Sequence, residues 1–304
     1  MNFSAVSFAY LVDSEETEEQ AAVLSRSIRD LGGGLCASQI IAMRPETSRP
    51  SRRWNALKDD LQVIESVFAM EAELSTLPFA TKAVAARHAE SRVAESGDLL
   101  VWMDSGSLVL REPAELLLDD DHVLGCSPVD HTLIGSPFSE PLDGFWEYVY
   151  RACGVDRSSV FPVTSVVDRR KIRAYFNAGL LVVKPQRGIL RAWGENVRRI
   201  CTGADVKGLL KGNPLHRVFL HQAVLAATIL ARVDRNEILL FTPHVNYPLH
   251  MHADHPANQA TKSMDDLVTC RYEGFFARDD WAKTVPVSDA LEAWIRTHLC
   301  RADS

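Results

Sequence analysis

The 304-residue sequence holds no apolar run of the length a bilayer requires, so no membrane-spanning segment is expected. It also lacks any C-x-x-C pair. Its six cysteines, Cys36, Cys126, Cys153, Cys201, Cys270 and Cys300, are scattered. That spacing argues against a cysteine-based zinc site and for free thiols in a reducing compartment, and a cytoplasmic location is expected. Basic residues are outnumbered, 33 Lys+Arg against 40 Asp+Glu, a formal net charge of -7. A dedicated nucleic-acid binder would normally be basic, so no nucleic-acid partner is expected. A small anionic ligand is not excluded, because it needs only one local basic pocket. No basic region precedes the N-terminal run MNFSAVSFAYLV, and no small-residue cleavage signature follows it, so it reads as a first strand rather than a signal peptide. Repeats, low-complexity tracts and linkers are missing too, which favours one compact domain over 1–304.

What is present is an ordinary globular composition, 46% hydrophobic and 24% charged, in a chain long enough to bury a full core. Phe3–Val12 is rich in strand formers. Thr17–Leu31 carries Ala21, Leu24, Ile28 and Leu31 at helical spacing, with acidic residues crowding its start and Gly32–Gly34 ending it. Leu35–Met43 reads as a second strand, giving a β-α-β opening and hence a mainly parallel sheet covered by helices. Arg44–Lys58, with its prolines and basic residues, reads as a surface loop. Further strands are expected at Gln62–Met70, Leu99–Met103 with a short continuation over Ser107–Leu110, His122–Val129, Ala178–Val183, Glu237–Phe241 and Leu267–Tyr272. Helices are expected at Phe79–Val93, Asp143–Cys153, Gln186–Cys201, His216–Leu230 and Ser288–Cys300. Thr242–Asn258 reads as an irregular loop.

Five constellations carry residue types suited to chemistry. In Trp102-Met103-Asp104-Ser105-Gly106-Ser107, an apolar strand ends in a carboxylate followed by small polar residues. Open α/β sheets bind ligands at the carboxyl ends of their strands, and a carboxylate there suits a hard divalent cation held with substrate phosphates. An Asp that merely opens a turn is an equally good reading. In Phe176-Asn177-Ala178-Gly179, small residues lead into a buried strand and offer hydrogen bonds and close approach; a tight turn is the plainer alternative. Gln222, after His221 in an otherwise apolar helix, could face a cleft and bind a hydroxylated substrate, or lie on a partly exposed polar face. The stretch Pro243–Pro256 holds His244, His250, His252 and His255, which are candidate metal ligands or incidental loop residues. Lys82, in the first turn of the helix before Asp104, could reach a diphosphate with help from the helix N-terminus, or be a solvated charge.

The order of these pieces resembles the nucleotide-diphospho-sugar transferases of GT-A fold, especially the family 8 type. The likeness runs from roughly Phe79 to Pro256. It implies an α/β, Rossmann-like GT-A architecture with a nucleotide-binding half over 1–125 and a sugar- and acceptor-binding half over 126–304. It implies a nucleotide-sugar donor, a UDP-sugar, and transfer to a sugar, lipid or protein acceptor, in a chain that could form a homo-oligomer. If the resemblance extends to stereochemistry, the anomeric configuration is retained. The site it implies has Tyr10, Asp13, Lys82, Trp102, Met103 and Asp104 against the nucleotide and diphosphate. Asn177, Ala178, Gly179 and Gln222 would meet the sugar or acceptor, with Gln222 and Asn177 as the catalytic pair. Mn²⁺ or Mg²⁺ would be held by Asp104 with His252 or His250. The sequence departs from the pattern in three places. Gly106 stands where the second acid of Asp-x-Asp would be, His221 replaces the acidic residue before Gln222, and the closing His-x-x-Gly-x-x-Lys-Pro-Trp phrase is not recognisable in MHADHPANQATK. The alternatives are a nucleotide-sugar-binding protein of the same fold with weakened catalysis, or a hydrolase with a metal held by the four loop histidines. The loop lacks the helix-spaced pair that such hydrolases use.

Overall fold

The computed structural model describes residues 5–203 and 206–299. Seven strands form the main sheet: β1 (Val6–Leu11), β2 (Gln39–Pro45), β3 (Val63–Phe68), β4 (Leu99–Met103), β6 (Leu124–Pro128), β9 (Phe176–Val183) and β10 (Ile238–Leu240). Their spatial order is β10-β6-β9-β4-β1-β2-β3. Only β9 runs against the rest, paired antiparallel to β4 on one side and β6 on the other. The fold is therefore α/β with a mixed, mainly parallel sheet. A three-stranded sheet, β11 (Tyr247–Pro248), β12 (Thr269–Arg271) and β5 (Ser107–Val109), and a hairpin of β7 (Pro162–Thr164) and β8 (Lys171–Arg173) complete the strands.

Side-chain alternation explains how β4 is apolar throughout. Leu100 and Trp102 point into one hydrophobic cluster, while Leu99, Val101 and Met103 point into another. The first cluster is covered by helices α4 (Ala80–Val93), α6 (Ile189–Cys201) and α8 (Pro214–Arg232); the second is covered by α1 (Glu15–Leu31) and α2 (Arg52–Asp60). A third cluster around Leu108, Tyr247, Trp281 and Ile295 supports the small sheet. The remaining helices are α3 (Ala72–Ser75), α5 (Gly144–Cys153), α7 (Val206–Leu209), α9 (Trp281–Thr284) and α10 (Asp289–His298). Among the described residues, no helix is long and apolar enough to cross a membrane.

Most long elements fall where the periodicity predicts, and the departures have local causes. Ser107–Val109 does not continue β4: the chain turns at Asp104-Ser105-Gly106, and β5 joins a different sheet. Phe176-Asn177 is not a turn but the start of β9, with the irregularity carried by a register shift in β6 between Cys126 and Pro128. The predicted loop Arg44–Lys58 is largely ordered. Arg44 and Pro45 close β2, and Ser51 caps α2 by accepting the Trp54 backbone N–H. The predicted starting residue Phe3 and end residue Cys300 lie outside the described residues.

Candidate active site

Because six strands run one way and β9 the other, the carboxyl ends of β4 and β6 share an edge with the amino end of β9. Asp104 leaves β4 there, Asp130 follows β6, and Asn177 stands at the start of β9. This is the crevice where open α/β sheets place ligands. The backbone N–H of Asp104 donates to the Gly179 carbonyl at 2.7 Å, fixing the Asp104 turn against β9.

The side chains then interlock. Lys82, from the first turn of α4, donates to Asp104 Oδ2 at 2.9 Å, and its Nζ lies 2.7 Å from Oδ1 in an ion pair. The Lys82 side chain is 13% exposed and that of Asp104 31%, so the pair borders solvent. The side-chain oxygen of Asn177 accepts the Gly179 N–H at 2.7 Å, and its amide nitrogen donates to Asp130 at 3.2 Å. Gln222 Oε1, on α8, accepts the Ala178 N–H at 3.2 Å. Arg271, at the end of β12, donates from Nη2 to Asp130 at 2.6 Å and from Nε to Asn246 at 3.1 Å. Burial alone would lower the pKa of Arg271; the carboxylates of Asp130, Glu273 and Asp104 outweigh it and raise it. Gly179 is the hub: a Cβ there would lie 2.8 Å from Asn177 Oδ1, 2.9 Å from Asp104 Oδ2 and 3.3 Å from Arg271 Cδ. Beside this cluster lies a cavity of about 260 Å³, bordered by Ser127, Asp130, Thr164, Arg169, Thr242 and Asn246.

Lys82, Asp104, Asn177, Ala178, Gly179 and Gln222 thus meet at one edge, Ala178 through its backbone. Asp13 lies past the carboxyl end of β1, exposed, its carboxylate accepting from Thr17 Oγ1 at 3.2 Å. Other predicted residues are placed elsewhere. Tyr10 cannot face a base: it is fully buried between β1 and α1, its hydroxyl bonded to Ser25 at 2.6 Å. Trp102 and Met103 are buried core side chains on opposite faces of β4. The expected metal set of Asp104, His250 and His252 is not assembled, because the histidine loop folds on itself. His252 Nδ1 bonds the Tyr247 hydroxyl at 2.8 Å, His250 Nε2 sits 3.4 Å from Glu273, and the His255 ring stacks on Tyr247. Burial lowers the pKa of all three imidazoles. Among the described residues, no group of three or more His, Cys, Asp or Glu is placed to hold a metal ion. Fitting Mn²⁺ or Mg²⁺ to this edge also fails on the donor set, since the one carboxylate at the β4 turn is already ion-paired with Lys82, whose Nζ lies within 2.9 Å of each oxygen, and Gly106 supplies none.

Two residues of this edge, Asp130 and Arg271, are not among those the sequence points to. One signal could have found Arg271: it begins an Arg-x-x-Gly run ending at Gly274, the spacing that opens the family's closing His-x-x-Gly phrase.

His221, the residue before Gln222, is buried and stacks at a tilt near Phe79, with Nδ1 3.1 Å from the Val218 carbonyl. Burial, reinforced by the charge of Lys82, pushes its pKa down to about 3. The unfolded chain takes up this proton below pH ~6.5, whereas the folded chain resists it until about 3. The stability contribution is therefore complete above the unfolded value and is lost as pH falls from there toward the folded one. Urea denaturation of the wild type should lose midpoint between pH 7 and pH 5 more steeply than His221→Leu; parallel slopes would show that His221 does not titrate in this way.

The α/β fold, with its mixed seven-stranded sheet, is of the GT-A type seen in solved glycosyltransferase structures. An active-site mutant of LgtC matches with a TM-score of 0.52 at 12% identity, covering 95% of this chain and 94% of that one. LgtC galactosyltransferase in complex with donor and acceptor sugar analogs matches at 12% identity with a TM-score of 0.49, covering 98% and 97%. Mouse xyloside xylosyltransferase 1 matches at 10% identity with a TM-score of 0.44, covering 88% and 96%. The model of the Rhodobacterales glycosyltransferase domain matches residues 8–233, and the chain belongs to that family. No curated protein matches it.

Proposed function

We propose that this chain transfers a glycosyl group from a nucleotide-diphosphate sugar, a UDP-sugar, to a hydroxyl of a sugar, lipid or protein acceptor. The bond from the anomeric carbon to the diphosphate breaks, the nucleoside diphosphate leaves with the electron pair, and the acceptor oxygen bonds the carbon as its proton passes to the departing diphosphate. The observation that carries this reading is the convergence of Lys82, Asp104, Asn177 and Gln222 at one sheet edge in a chain of glycosyltransferase family. The 1–125 half supplies Lys82 and Asp104 toward the nucleotide, with Asp13 at the neighbouring strand end. The 126–304 half supplies Asn177 and Gln222, which orient the sugar with the Ala178 and Gly179 backbone. The cavity beside Asp130 combines the hydroxyls of Ser127, Thr164 and Thr242 with apolar side chains such as Val166, Phe241 and Val245, a lining that suits an acceptor with both hydroxyl and apolar surface. A second reading, a nucleotide-sugar-binding protein without turnover, is favoured by Gly106 at the place of the second carboxylate. Nucleotide release from UDP-glucose, UDP-galactose and UDP-N-acetylglucosamine separates the two. Transfer predicts release with at least one donor, cut by about 100-fold in Asn177→Ala, since misplacing a substrate-positioning group by an ångström costs that much. Binding without release, in the presence or absence of Mn²⁺, supports the second reading.

A further inference from the structure

The basic groups at this edge stand where a divalent ion would be needed. Lys82 is ion-paired with Asp104, hydrogen-bonded to Oδ2 at 2.9 Å and 2.7 Å from Oδ1, and Arg271, with only 7% of its surface exposed, packs against Gly179 beside the same carboxylate. An ion placed on Asp104 would have to displace the ammonium and then sit beside a guanidinium, and like charges in a half-buried site repel strongly. The carboxylates are already neutralised in pairs, Asp104 by Lys82 and Asp130 by Arg271. Both cations keep donor capacity. Lys82 has three N–H groups, and the two terminal nitrogens of Arg271 carry two each, of which Asp130 and Glu273 take one apiece. A guanidinium presents those remaining N–H groups in the planar fork that phosphate oxygens match.

Resting on the donor-site reading above, we propose that this protein binds the diphosphate of its nucleotide-sugar donor without a metal ion, with Lys82 and Arg271 as the fixed cations. Arg271 comes from the small sheet and Lys82 from α4, so the diphosphate would bridge elements that only the tertiary fold brings together. On departure of the nucleoside diphosphate, charge would grow on its oxygens against these two groups, which are held in place before the reaction begins. Neither group needs to give up a proton for that role.

The test is calorimetric titration of UDP into the whole chain, once in excess EDTA and once in excess MnCl₂. The expected result is a Kd that agrees within about twofold between the two, weakened roughly tenfold or more by Lys82→Gln in both buffers, the scale of losing a charged hydrogen bond. Arg271→His, whose fold is checked by its circular dichroism, should weaken binding likewise. In a Gly106→Asp/Arg271→His double variant, Mn²⁺ should begin to strengthen UDP binding. Position 106 has room, since a Cβ there meets nothing nearer than Gln20 at 3.5 Å. Binding by the wild type only with Mn²⁺ would overturn the metal-free proposal and leave the donor site standing. Undiminished binding by Lys82→Gln and Arg271→His would overturn it as well. No UDP binding in either buffer would overturn the donor-site reading itself.

Discussion

Gly179→Ala should cost about 100-fold in donor turnover, the scale of an ångström's misplacement of site groups, while lowering unfolding free energy by only about 1–2 kcal/mol, the cost of leaving the buried Gly179 N–H unpaired. The two halves of that expectation have separate causes. Gly179 lies within β9 and needs no left-handed backbone, so alanine can adopt its conformation. The atoms nearest the new Cβ are Asn177 Oδ1 at 2.8 Å and Asp104 Oδ2 at 2.9 Å. Both are ends of side chains that can swing aside, which spares the core. Swinging aside, however, breaks the Asn177 contact to the Gly179 N–H and shifts Asp104 relative to Lys82. Steady-state kinetics beside urea denaturation checks it. A loss of stability that matches the loss of activity would mean that Gly179 matters for packing instead.

Arg44→Ala should be strongly destabilising although it lies away from the site, at roughly 3–5 kcal/mol, as for other buried ion pairs left with one partner. Arg44 donates to Glu18 at 2.8 Å and to Glu65 at 3.0 Å, and the side chains of Arg44 and Glu18 are almost fully buried. Glu65 also accepts the indole N–H of Trp54, and Glu18 accepts the backbone N–H of Ser51. One guanidinium thereby ties β2 to α1, β3 and the start of α2. Removing it leaves Glu18 charged and buried with no cation. A fall in Tm of roughly 10 °C is expected for that cost in a domain of this size. Arg44→Met combined with Glu18→Met should recover much of it, because an apolar pair of similar volume needs no desolvation of charge. A Tm within a degree or two of wild type for Arg44→Ala alone would show that the network is not holding these elements.

The same residue shows where the sequence misleads. Arg44 sits among prolines and other basic residues, a composition that reads as solvated loop, and nothing local tells that its partners lie at positions 18 and 65. Elements with their signal in their own residues were legible. β4 and β9 are apolar at every position or nearly so because both faces are covered, and α8 has a long apolar repeat. Asp104, Asn177 and Gln222 were legible because each is a polar residue at the end of, or within, such a run. Tyr10 and Trp102 were misread for the converse reason: a residue at a strand end can point into the core as readily as toward the ligand, and strand periodicity alone does not say which way. Asp130 and Arg271 were missed because one lies in a turn and the other in a three-residue strand, where no periodic pattern exists. Four histidines in one loop suggested a metal, but imidazoles also stack and bond to a tyrosine, and Tyr247 takes up two of them.

One measurement bears on the proposed donor site most directly: a crystal of the whole chain soaked with UDP and Mn²⁺. The diphosphate is predicted to lie at the carboxyl edge of β4 and β6, with its oxygens within hydrogen-bond reach of Lys82 and Arg271. No anomalous manganese peak is predicted at Asp104. UDP bound away from this edge would contradict the placement of the site, and a manganese ion bridging Asp104 and the diphosphate would contradict the role given to the two cations.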